Sequence, residues 1–461
     1  MPLYALTPND VLFFRDGRPI EAAGGHGARW PEPSLIFDAI HAALHRAFPL
    51  DDAVRCSLEN NAHSWEHAHR FGRSSDRDPN RHRTQRFGSL QTAGLFPVLE
   101  NGDWLFPSPQ DVVASGDPGL HLLSPLAKEP LSRCNLPAPL KYSLASPCEP
   151  SKEESKPWWT RKAFDAYLRG QSPDETMTRY HGNLFAGEWA TGIGIDPLSQ
   201  TQDGERIYSA EYLRLNCGVR LGFAATLPMK QNGARDNVRD CIAELLTKDR
   251  SIVVGGQQRV CSVEEVNCGQ SIATVLPRGT VIEGMRVKWV LLTPAVFPGI
   301  AASEKNGKRI NPHRGGWLPN WINSSTGKVE LLDGPGLEKA KRRNVQAGNL
   351  IDAHLVAARV PKPIPITGWT EAVHLKGTAL EREHGARQTH LAVPAGAVYY
   401  FESGSVTEAQ KLAMALNWHG RESNPTTIKN RRSTLLGEKG FGLGVCGTWQ
   451  FFKDVAGRSE K

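Results

Sequence analysis

Gly437-Glu438-Lys439-Gly440-Phe441-Gly442-Leu443-Gly444-Val445-Cys446-Gly447 runs close to the C-terminus, shortly after the basic run Lys429-Asn430-Arg431-Arg432. Alternate glycines strip side chains from one face of a strand or loop. A sugar-phosphate backbone can then lie against peptide N–H groups while neighbouring cations neutralise it. A glycine-rich bulge at a domain seam uses the same residues without a ligand. Dinucleotide folds need such glycines between a strand and a helix early in a βαβ unit, and these lie at the far end of the chain. The position argues for a strand-rich α+β protein whose last strand follows the glycines.

Upstream of that stretch, Val406, Ala409, Leu412, Ala413 and Leu416 mark an amphipathic helix closed by Gly420. Residues 391–393 and 397–401, joined by Pro394-Ala395-Gly396, read as a hairpin-like pair, and 287–292 as a strand. Residues 234–246 read as a helix with Val238, Cys241, Ile242 and Leu245 on one face, after strand-like composition over 207–227. At the N-terminus, 2–6 and 11–14 are short strand runs, and Pro33-Ser34 opens a helix with Ile36, Ile40, Ala43, Leu44 and Ala47 in helical period. Between them, Arg15-Asp16-Gly17-Arg18-Pro19 and Gly24-Gly25-His26-Gly27 form a basic, glycine-rich loop. Two segments read as insertions: the Arg-rich 63–86 and the basic, Gly- and Pro-rich 299–348. Each half accommodates a four-stranded sheet with helices on one face, and the boundary is expected near 230, giving domains 1–230 and 231–461.

A chain of 461 residues is long for one core and suits two. A formal charge of +7 favours a polyanionic partner, since clustered Lys and Arg release condensed counterions when they neutralise phosphates. The 8 Cys include no C-x-x-C pair or zinc-type spacing, so reduced thiols and no metal are expected. No apolar run reaches 18 residues, and Asn9, Asp10, Arg15 and Asp16 break up any leader, so no membrane partner and a cytoplasmic protein are expected.

Asp38, His41 and His45 fall on one helix face, as an acid–base or metal site needs, although a polar helix face explains them too. His63, His67 and His69 sit in an Arg-rich setting that suits RNA contact better than a metal. G-x-S-x-G, P-loop, H-E-x-x-H and deaminase signatures are missing from the sequence. Trp158-Trp159, Trp317 and Trp321 are either core residues or anchors for a protein partner.

Taken in order, several segments resemble the third subunit of the Cmr (type III-B) CRISPR effector complex, in the RAMP superfamily. At the N-terminus they are Asp10-Val11-Leu12-Phe13-Phe14-Arg15-Asp16-Gly17-Arg18-Pro19, Gly24-Gly25 and Pro33-Ser34. Thr191-Gly192-Ile193-Gly194-Ile195-Asp196, Ile207-Tyr208, Glu211-Tyr212-Leu213-Arg214 and Val254-Gly255-Gly256-Gln257-Gln258-Arg259 follow. Then come Leu291-Leu292-Thr293-Pro294-Ala295, Gly316-Trp317-Leu318-Pro319, Val393-Pro394-Ala395-Gly396-Ala397-Val398-Tyr399 and the terminal glycines.

The resemblance implies two ferredoxin-like (RRM-related) domains with long loop insertions and a protruding hairpin or thumb. It implies a non-catalytic role in antiviral defence, without cofactor, binding the 5′ tag of the crRNA beside the large polymerase-like subunit and the backbone RAMP subunits. The expected RNA-binding residues are Arg15, Arg18, Gly24, Gly25, His26, Arg29, Gly255, Gly256, Arg259, Arg431, Arg432, Lys439, Gly440, Phe441, Gly442 and Gly444. Two other readings of the same chain are a RAMP endoribonuclease using His26, His41 or His45, and a scaffold that binds only protein.

Overall fold

Leu3–Pro8 (β1) is buried on both faces: Tyr4 and Leu6 enter one core and Leu3 another, as the two-residue period of a central strand requires. The computed structural model describes residues 1–14, 24–25, 30–48, 87, 90–114, 119–127, 135–149, 151, 156–195, 198–199, 201–230, 238–248, 250–266, 270–305, 308–310, 312–332, 350–370, 385–386 and 388–453. Its architecture is mixed α/β, with several small antiparallel sheets.

In chain order the elements that matter are α1 (Pro33–Ala47), β2 (Gln91–Val98), α2 (Arg161–Leu168), β3 (Phe185–Ile195), β4 (Gln202–Leu215), β5 (Arg220–Thr226), α3 (Cys241–Lys248) and β6 (Val260–Glu265). The second half adds β7 (Arg286–Leu291), β8 (Ala353–Arg359), β9 (Val398–Ser403), α4 (Val406–Leu416) and β10 (Gly444–Thr448). The first sheet runs β6-β1-β5-β2, with the short strand Ser251–Val253 added outside β6, and every pairing is antiparallel. The second runs β10-β7-β9-β8, also antiparallel. Counted along the chain, both place their four strands in the spatial order fourth, first, third, second.

Each sheet buries one face under helices. Ile36, Ile40 and Leu44 of α1 and Ile242 and Leu245 of α3 pack on Tyr4, Leu6, Leu221 and Phe223. Leu412 and Leu416 of α4 pack on Val287, Trp289, Leu291 and Phe401. The opposite faces share one core, in which Leu3, Phe96 and Ala224 join Val290, Tyr400 and Val445, with Phe164, Tyr167 and Leu168 of α2 among them. Inside this shared core Lys288 is buried, donates to the Tyr167 carbonyl at 3.2 Å and lies 3.4 Å from that ring's centroid. Both Tyr167 and Tyr400 hydroxyls donate to the buried Asp111 carboxylate, at 2.7 and 2.6 Å.

Two local expectations are corrected. The helix expected over 234–246 begins only at Cys241, because Val238–Asp240 is a strand paired with Pro228–Lys230. Asp240 accepts from the backbone N–H of Ile242 and of Leu227, both at 3.0 Å, and so stops the strand and starts the helix; residues 231–237 lie outside the described set. The pair 391–393 and 397–401 is not a hairpin: His390–Val393 pairs with Ile364–Ile366 and Ala295–Val296, whereas β9 pairs with β7 and β8. Gly396, at φ +83°, turns the chain from one sheet to the other with its backbone against Ser108, where a Cβ would collide.

Candidate nucleic-acid interface

β3 and β4 form the longest ribbon, paired from Phe185↔Leu215 to Ile193↔Ile207, with a bulge before Ile195↔Gln202. Most of β3 is exposed, including Trp189 at 58%, and Leu198 beyond its end is 94% exposed. Two sequence-predicted segments converge along β4. Gly24-Gly25 pairs in parallel with Ser209-Ala210, Leu12 bridges Leu213, and Phe13 packs on Tyr212 with ring centroids 5.5 Å apart. As glycines, residues 24–25 bring no side chain to this ladder.

A third segment closes on the same spot. Gly256 N–H donates to the Phe13 carbonyl at 2.9 Å, and added Cβ atoms would stand 2.6 Å from the Phe13 carbonyl at Gly255 and 2.7 Å from the Phe13 ring at Gly256. Gly255 has φ +78°, and Gln257 and Gln258 follow at +55° and +52°. Two consecutive non-glycine residues in the left-handed region are strained, and such strain concentrates at ligand-binding positions. It turns the Gln257 amide oxygen toward Tyr212, whose hydroxyl donates to it at 2.7 Å, and toward Arg259, which donates to it at 3.2 Å. The Arg259 guanidinium lies 4.9 Å above the Tyr212 ring. Arg214 pairs with Glu188 at 2.6 Å and Asp10 at 3.2 Å, and Asp10 stands 3.7 Å from Arg259. The result is an exposed glycine–glutamine turn beside a stacked guanidinium, suited to phosphates and unstacked bases.

The C-terminal glycines form a second cluster, turned onto the protein itself. Gly440, at φ +92°, packs on the Thr92 carbonyl and Pro33, while Gly442, at φ +75°, lies against the Ser433 peptide and Gly444 against the Trp289 indole. Phe441 is fully buried with Val296, Ile366 and Ala392. Arg432 donates to the Ala415 carbonyl at 2.7 Å, and Asn430 to those of Met414 and Asn417 at 2.8 Å. These bonds satisfy the exposed C-terminal carbonyls of α4, so the helix ends at Leu416, before Gly420. Arg431 lies beside Gly437. Lys439 pairs with Asp38 of α1 at 2.6 Å and sits 5.6 Å from the Phe37 ring centroid. Arg15, Arg18, His26, Arg29 and the histidines at 63, 67 and 69 lie outside the described residues.

Of the proposed acid–base trio, Asp38 faces Lys439, while His41 stacks on Phe37 at 6.0 Å and His45 meets Phe87 edge-on at 5.1 Å. Trp158 and Trp159 are core residues. Reading by composition passed over Tyr212 and Gln257 because neither is charged, yet both stand inside segments singled out for their order. The signal for Tyr212 was an aromatic residue at a strand position between Glu211 and Arg214.

Among solved structures, the chain is similar to a chain of the Type III-B Cmr-beta bound to cognate target RNA and AMPPnP, at 12% identity over 88% of this chain and 86% of that one, TM-score 0.39. It is similar to a chain of the same complex with cognate target RNA, at 12% identity over 86% of each, TM-score 0.37. It also matches a chain of the Csm3-Csm4 subcomplex of the type III-A CRISPR-Cas interference complex, at 11% identity over 88% of this chain and 94% of that one, TM-score 0.34. No curated protein matches the chain. Residues 4–449 match the family model of the CRISPR-associated protein (Cas_Cmr3), and the chain belongs to that family.

Proposed function

We propose that this chain is a non-catalytic RNA-binding subunit of a cytoplasmic type III-B CRISPR effector complex, holding the 5′ tag of the crRNA beside the large polymerase-like subunit and the backbone RAMP subunits. The observation that carries the reading is the convergence of Gly24-Gly25, Phe13, Tyr212, the Gly255–Gln258 turn and Arg259 at the ribbon β3–β4. An exposed turn at Gly255–Gln258 and a guanidinium held in place on a buried ring suit a single-stranded RNA backbone. Arg15, Arg18, His26 and Arg29, which flank Gly24-Gly25 in sequence, belong to the same reading, the arginines as cations for phosphate. The ribbon serves as the thumb. In this reading Arg432, Lys439 and the 440–444 glycines hold the seam that presents the RNA-facing residues, rather than gripping phosphate themselves.

Two ferredoxin-like domains account for the repeated fourth-first-third-second strand order. β6 completes the first sheet and β7 starts the second, so we place the division between Glu265 and Arg286 rather than near 230. The test is binding of the full chain to a guide RNA carrying its natural 5′ tag and to one with the tag scrambled, at two salt concentrations. Tighter, salt-sensitive binding to the natural tag supports the reading. Equal affinity for both, or histidine-dependent cleavage of precursor RNA in EDTA, overturns it.

A further inference from the structure

Arg161, Asp165 and Arg169 stand at i, i+4 and i+8 along α2 and its C-cap, on one face of the helix. Together with Arg278, Thr280 and Glu283 they line a cleft of about 600 Å³. Two of its guanidiniums are held from behind. Arg161 donates to the carbonyls of Ala273, at 3.2 Å, and Thr274, and faces Asp165 at 3.5 Å. Arg278 donates to the Ser423 carbonyl. Side chains already ordered in this way lose little entropy on binding. Arg169 is exposed at the end of the helix.

Three guanidiniums against two carboxylates leave the cleft net positive. Asp165 is half-buried among Arg161, Arg169 and Arg278, and burial pushes its carboxyl up while the three guanidiniums pull it down. The hydroxyl oxygen of Thr280 is buried there without a hydrogen-bond partner. A buried polar group left unpaired is costly and calls for a partner. Planar forks and a hydroxyl lining one cleft match the tetrahedral oxygens of phosphate better than they match a carboxylate, which has only two. Val281, 77% exposed at the edge, offers an apolar contact to a sugar or base.

We infer that this cleft is a second anion site, separate from the β3–β4 interface, that takes a phosphate group carried by an RNA strand or a free nucleotide. The inference does not rest on tag binding, and its test keeps the two apart by using the full chain carrying Tyr212→Ala and Arg259→Ala. Binding of a labelled ten-nucleotide oligouridylate is measured by anisotropy, with ATP and inorganic phosphate as competitors, before and after adding Arg169→Ala or Thr280→Val. Either added change should weaken oligonucleotide binding about tenfold. Arg169→Ala should also lower the salt slope by about one. Both positions lie outside the hydrophobic core, and an unchanged melting temperature confirms the fold. Competition by ATP and phosphate assigns the site to free nucleotide, and its absence to the RNA strand. Unchanged affinity in both variants, or Arg169-dependent binding of poly-glutamate but of no phosphate ligand, overturns the inference.

Discussion

The Lys439 ammonium lies 2.6 Å from the Asp38 carboxylate, joining residues 401 positions apart and tying the C-terminal glycine loop to the first helix. Lys439 is 14% exposed and Asp38 58%, so one partner is largely desolvated while the other keeps its water. A double-mutant cycle with Lys439→Met and Asp38→Asn should give a coupling of about 1 kcal/mol in urea unfolding. Lys439→Met should change RNA affinity less than twofold. A large loss of affinity with intact stability would return Lys439 to the RNA surface.

Arg259 and Tyr212 are expected to act together, because the guanidinium stacks on the ring and both bond the same amide oxygen. Arg259→Ala should weaken tag binding about tenfold, the range for losing one charged contact, and Tyr212→Ala, whose ring is buried beneath the guanidinium, should do as much by releasing Arg259 and Gln257. The double variant should lose much less than the product, a non-additivity that anisotropy titrations read directly.

Gly255 cannot accept a side chain without displacing Phe13, and its φ is positive. Gly255→Ala should cost about 1–3 kcal/mol, whereas Gly284→Ala, with nothing within 4 Å of the added carbon, should cost under about 0.5 kcal/mol. Chemical denaturation of the two variants side by side checks the contrast.

Burial lowers the pKa of Lys288 to about 8, with Asp111 pulling the other way. The unfolded lysine titrates at about 10.4, so between these values only the unfolded chain holds the proton, and stability rises with pH. Burial, then Asp111, holds Tyr167 and Tyr400 well above their usual value. Above about pH 10 the unfolded chain loses protons that the folded chain keeps, and stability falls. Urea midpoints from pH 7 to 11 should pass through a maximum. Lys288→Met should remove the rise, since the side chain that the folded state keeps from its proton is then gone.

His419 accepts from the Gly279 N–H at 3.2 Å, and burial, then the charge of Arg278, lowers its pKa to about 4. Between about pH 6.5 and 4 the unfolded chain takes up a proton that the folded chain refuses, so stability falls as pH drops through that window. His419→Gln should flatten this part of the curve, as melting temperatures at pH 7 and 5 would reveal.

Periodicity determined the helices at Pro33–Ala47 and Val406–Leu416, each of which buries a face whose repeat is written in consecutive residues, and short apolar runs located the strands at Leu3–Pro8 and Arg286–Leu291; the last strand, expected after the glycines, instead takes Gly444 and Gly447 into Gly444–Thr448. Motif order determined the family. Partner choice between strands was decided only in three dimensions. Residues 391–393 and 397–401 look like one hairpin, and Gly396 instead sends them to different sheets because its backbone must clear Ser108. The glycines at 440–444 look like a ligand cradle, and packing against Thr92, Ser433 and Trp289 explains each of them. Glycine spacing records that something approaches the backbone closely, whereas only the folded chain decides whether that neighbour is a ligand or the protein's own peptide. Tyr212, Gln257 and Arg259 carry no sequence spacing that links them to Gly24. The register of β4 sets Tyr212 two residues beyond the Ala210 that pairs with Gly25, and the Gly255–Gln258 turn reaches it through bonds to Phe13 and Tyr212.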